Sequence, residues 1–230
     1  MVRTSIVGVG VAALASAAVA GPVRPAELDR SGYAIYQAVG TEIGVDLGVE
    51  RGATTYYSNM GSGTGFAAFP MSGIQVDGQL ESLGVADYAS TAVNNIDLNV
   101  MKFVGGVNQA GGVAFFDFYD AGGVFVDGFG VQFANAGNFI YTITINSAVE
   151  IAAGGFVEML VDDENLAGAG SNAGGQWFLS DAAATIGSAG AFDANPNLNF
   201  KLELTGAEVP APGALALLGL GGLAAGRRRR

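Results

Sequence analysis

Two stretches of strict alternation constrain the fold of these 230 residues more than any other feature. In the first, Leu198, Phe200, Leu202 and Leu204 alternate with Asn199, Lys201 and Glu203, so a strand there buries the first set and turns the second to solvent. In the second, Phe139, Tyr141, Ile143 and Ile145 alternate with Ile140, Thr142 and Thr144, all of them strand formers. Shorter apolar runs predict further strands over Ile74–Leu80, Ile96–Val104, Val113–Tyr119, Val124–Phe133, Phe156–Val161 and Trp177–Ser180. Glycine pairs at Gly105-Gly106, Gly111-Gly112 and Gly122-Gly123 are expected to supply the positive-φ corners between them. Over Tyr33–Val49 the spacing of Tyr33, Tyr36, Val39 and Ile43 is nearly helical, but Gly32, Gly40, Gly44 and Gly48 weaken a helix, and strands are expected. Asn59–Gly65 and Leu166–Gly175 read as loops within one domain. No convincing amphipathic helix lies between Gly21 and Glu208, so the expected fold is all-β, an antiparallel β-sandwich of jelly-roll-like or Ig-like type.

Both ends of the chain read as addresses. Arg3 lies in a short positive region, Ile6–Val19 is an apolar run, and Ala18-Val19-Ala20 before Gly21 fits a small-residue cleavage site, so residues 1–20 are expected to be a secretory signal peptide. At the other end Val209-Pro210-Ala211-Pro212 precedes an apolar stretch, residues 213–226, and Arg227, Arg228, Arg229 and Arg230 close the chain. At ~1.5 Å per residue this stretch makes a short transmembrane helix of roughly 21 Å, under the ~30 Å of a hydrocarbon core. The arginines are expected to stay cytoplasmic and the preceding body, residues 21–208, to lie outside.

This order of parts resembles the PEP-CTERM sorting signal, with Pro210-Ala211-Pro212 standing where that family has Pro-Glu-Pro. The resemblance covers only the tail. It implies a substrate of an exosortase-type membrane enzyme, acting after signal peptidase, and a destination at the cell surface or in the extracellular exopolysaccharide matrix. The membrane would then be a transient partner, through the C-terminal helix.

Charge and missing residues narrow the chemistry. All 21 acidic residues fall within residues 21–208, against five basic ones (Arg24, Arg30, Arg51, Lys102 and Lys201), so the body carries 5 − 21 = −16. Such a surface disfavours nucleic acid. With neither cysteine nor histidine, thiol catalysis, disulfides and the commonest general base are excluded, and no G-x-S-x-G elbow or phosphate loop occurs. No cofactor is expected. Ca²⁺ is the one metal the acids suggest, at Asp162, Asp163 and Glu164 before a Gly/Asn loop, or at Asp117, Asp120 and Asp127 round a hairpin turn. A solvated loop and turn-capping aspartates are the simpler accounts. Trp177, the only tryptophan, is a candidate for stacking on a sugar with Tyr56, Tyr57 or Tyr88, set against a place in the core. The expected function is a non-enzymatic, exported surface or matrix protein associated with exopolysaccharide or another envelope component. The alternative is a secreted carbohydrate-active enzyme or a Ca²⁺-dependent glycan-binding module using acidic loop residues.

Overall fold

Alternation sets the strands. In β8 (Gly137–Thr144), Tyr141 and Ile143 are buried while Thr142 and Thr144 lie on the other face. The computed structural model describes residues 28, 30, 32–41, 53–61, 67–68, 81–107, 110–161, 175–180, 183–188 and 199–210. Strands precede β8 at β1 (Ile35–Thr41), β2 (Thr54–Ser58), β3 (Ala67–Ala68), β4 (Glu81–Ala89), β5 (Ile96–Val107), β6 (Val113–Asp120) and β7 (Phe125–Phe133). After it come β9 (Glu150–Ile151), β10 (Gly154–Val161), β11 (Gly175–Ser180), β12 (Asn199–Phe200) and β13 (Leu202–Glu208). The architecture is all-β, with no helix among the described residues. The predicted strand over Ile74–Leu80 and most of the Leu166–Gly175 loop lie outside them. β2, β3, β4 and β9 have no counterpart among the sequence-predicted strands.

Hydrogen-bonded ladders run continuously from β5 through β8, β1, β7, β6 and β10 to β4, while β13 joins the other edge of β5 and β2 joins β13. The seam between β2 and β4 is bridged by Thr185–Ser188. Ser58 exchanges backbone bonds with Ile186 at 3.0 and 3.2 Å, and Ala89 does so with Ser188 at 2.9 Å in both directions. Gly187 lies between these two bridges with φ of +76°, and a Cβ there would sit 2.5 Å from the Ala89 carbonyl oxygen. The result is a large mixed sheet nearly closed into a barrel. Its interior is aromatic: Phe103 of β5 lies 5.2 Å from Phe116 of β6, two strands that do not pair, so the rings meet across the core.

Three expectations are corrected. The sheet is not wholly antiparallel, because β1 inserts between β7 and β8, which run in opposite directions, and must therefore be parallel to one of them. Gly105 and Gly106 are not a corner but part of β5, where Gly105 stands in register between Trp177 and Phe139 and a Cβ on Gly106 would overlap the Asn138 side chain. Lys201 does not face solvent. It is fully buried where the chain passes from β12, paired with β11, to β13, paired with β5. Its Nζ donates to the backbone carbonyls of Asn59 and, at 3.3 Å, Gly61, which supplies the polar partners a buried ammonium needs.

Candidate functional site

β13, a strand with a neighbour on each side, ends at Glu208, immediately before Val209 and Pro210. Glu208 is paired with Ile96 of β5, and its backbone N–H donates to the Tyr56 hydroxyl at 3.2 Å. Its carboxylate accepts from the backbone N–H of Val93 at 3.0 Å and from the Asn94 amide at 3.3 Å. The Val209 N–H then donates to the carbonyl of Asn95 at 2.8 Å. The loop that holds this collar is itself fixed, since Thr91 donates from its backbone to Tyr56 at 2.9 Å and Asn95 donates from its amide to Glu150 at 2.7 Å. Val209 is half-buried and Pro210 is exposed. Of the predicted site residues, Ala18, Ala20, Gly21, Asp162, Asp163, Glu164, Ala211, Pro212, Arg227, Arg228, Arg229 and Arg230 lie outside the described residues, as does the helix expected over 213–226. Among the described residues no helix is long and apolar enough to cross a membrane.

A second cluster sits on the outer face of β6. Phe116 and Phe118 point into the core, so Phe115, Asp117 and Tyr119 point outward, yet all three are buried. Asp117 is covered by the segment entering β1. Arg30 donates from Nη2 at 2.5 Å and from Nε at 3.2 Å to Oδ2, and the Tyr33 hydroxyl donates to Oδ1 at 2.9 Å. Tyr33 reaches this position over Gly128, which stands opposite Asp117 and where a Cβ would be 2.6 Å from the hydroxyl oxygen. Burial opposes the Arg30 charge, but the hydrogen bonds and attraction of Asp117 outweigh it and raise the guanidinium pKa. Burial and then the Asp117 charge push the Tyr33 phenol well above its ordinary range. Glu158, also buried, stands directly across from Asp117 on β10, so two acids share one row. Like charges in register repel, and Arg30 offsets part of that cost.

Neither acid presents surface to a polymer, since Asp117 is 0 % and Glu158 1 % exposed. Asp117, Asp120 and Asp127 are not brought round one cation. Asp120 caps the β6–β7 turn through the N–H groups of Gly122 and Val124, at 2.8 and 2.9 Å. Asp127 points to the other face of the sheet from Asp117 and accepts from the N–H groups of Gly128 and Glu150, at 2.8 and 3.1 Å. Among the described residues no group of acids is arranged to hold a metal ion. Trp177 is fully buried, packs on Phe103, Phe116 and Phe200, and donates from Nε1 to the Lys201 carbonyl at 3.0 Å. Tyr57 and Tyr88 are buried too, so of the proposed stacking residues only Tyr56 keeps exposed area.

Sequence reasoning passed over Glu208 and Arg30. The signal for Arg30 was its rarity, as one of five cations against 21 acids in the body; for Glu208 there was none beyond its place before the Pro motif. Neither a family model, nor a curated protein, nor a solved structure matches the chain.

Proposed function

We propose that this chain is an exported, non-enzymatic protein of the cell surface or extracellular matrix, handed to a sorting enzyme by its PEP-CTERM-like tail and associated with exopolysaccharide or another envelope component. Its body, in this reading, is a barrel flattened toward a β-sandwich. The observation that carries the proposal is the exit of β13, which runs out of the sheet to an exposed Pro210 where the sorting segment begins. A tail that starts at the surface can be handled by another enzyme without disturbing the core.

Charge supports the same reading. Among the described residues all three basic side chains are engaged within the body: Arg30 with Asp117, Lys102 with Glu203 at 3.0 Å, and Lys201 with backbone carbonyls. None is left over to offset the surface acids, which favours solubility outside the cell and disfavours nucleic acid.

The test is the intact mass of the protein recovered from the surface and medium of its host. A mass running from Gly21 to the Pro motif is expected. A mass that retains Arg230 would sink the sorting half of the proposal, and hydrolysis of a purified polysaccharide by the body would sink the non-enzymatic half.

A further inference from the structure

We infer that the folded body itself sets the limit of its tail: from Leu202 to Val209–Pro210 no peptide bond is open to a processing enzyme, and the protection ends at the exposed Pro210. A protease acts on backbone that is exposed or that opens locally, at a rate set by the population of the open form. Residues Leu202–Glu208 are paired to β5 on one edge, and Glu203–Gly206 to β2 on the other, so exposing this strand means dismantling the sheet. The collar extends that protection one bond further, to Glu208–Val209. Glu208 is held by Tyr56, Val93 and Asn94, and the Val209 N–H by Asn95. The next bond, Val209–Pro210, is an imide without an N–H, a poor substrate in any extended cleft. Pro210–Ala211 is therefore the first ordinary amide outside the collar. Its hydrolysis consumes one water: the C–N bond breaks, hydroxyl goes to the Pro210 carbonyl carbon and hydrogen to the Ala211 nitrogen.

In this account Glu208 is a positioning residue, a latch that holds the Pro motif against the body. As a statement about processing in the host the inference rests on the export reading; as a limit on any protease it stands without it. The two fail separately. Host protein that retains Arg230 would end the export reading and leave this limit in place.

The experiment is timed digestion of the native full-length chain with a broad-specificity serine protease, each product's C-terminus read by intact mass while near-ultraviolet circular dichroism reports the fold. The body fragment is expected to end at Pro210 or beyond. Products ending between Thr205 and Val209 from a body that is still folded, or no cut anywhere after Pro210, would overturn the inference. Glu208→Ala should raise cutting before Val209 by about tenfold or more, because a charged hydrogen-bond acceptor is lost from the closed form. If Glu208→Ala proves unfolded, Asn94→Ala, which removes one donor to the same carboxylate, is expected to give a smaller rise at the same bonds. An unchanged pattern in a folded variant removes Glu208 from the role.

Discussion

Arg30 and Asp117 are 87 residues apart in sequence and 2.5 Å apart in space, Nη2 to Oδ2. This pair fastens the segment that leads into β1 onto the outer face of β6, with Tyr33 as second donor to the same carboxylate. Removing one charge of this pair should be costly. Asp117→Ala leaves a guanidinium at 18 % exposure without its carboxylate, and the expected loss is about 3 kcal/mol, read from the urea midpoint. Replacing both partners, Arg30→Met with Asp117→Leu, should recover most of it. A double variant as unstable as the single one would show that charge pairing is not the cause.

Gly128→Ala tests the path of Tyr33. The new methyl would lie 2.6 Å from the hydroxyl oxygen and 2.7 Å from two ring carbons, so the ring must move and release Asp117. A destabilisation of about 1–3 kcal/mol is expected. In a Tyr33→Ala background the same substitution should cost far less, and additive effects in the double-mutant cycle would contradict the contact.

Gly187→Ala should loosen the seam. A residue with a side chain is strained at φ of +76°, and its Cβ would meet the Ala89 carbonyl oxygen at 2.5 Å. The expected cost is about 1–3 kcal/mol. Hydrogen exchange should rise first at the amides of Ser58, Ala89 and Ser188, whose bonds form the bridge. Uniform exchange across the sheet would mean that Thr185–Ser188 does not close the barrel.

Alkaline pH should unfold the body through its tyrosines. Burial pushes the Tyr141 phenol up to about 12, and raises those of Tyr33 and Tyr88 as well. A phenol whose pKa is higher folded than unfolded keeps its proton longer in the native state, so its stabilising contribution is complete below about pH 10 and is lost as pH climbs toward 12. Phenolate absorbance and circular dichroism should therefore change together in that window. Full titration of all tyrosines near pH 10 with the fold intact would refute the burial argument.

The sequence by itself determined the class of the body, the place of several of its strands and one hairpin turn, because period two and turn chemistry are local. β8, β6 and β7 follow their alternation, and Gly123, at φ of +84°, completes the turn that Asp120 caps. Tertiary structure alone decided what depended on distant chain. Nothing local makes β1 run parallel to β7; it follows from insertion between two strands about 100 residues downstream. Nothing local buries Lys201, whose acceptor at Asn59 is 142 residues away, and the alternation around it pointed to solvent. The latch on Glu208 and the clasp on Asp117 are of the same kind. Each joins polar groups that are exposed in the unfolded chain and gain their meaning only when folding takes them out of water together.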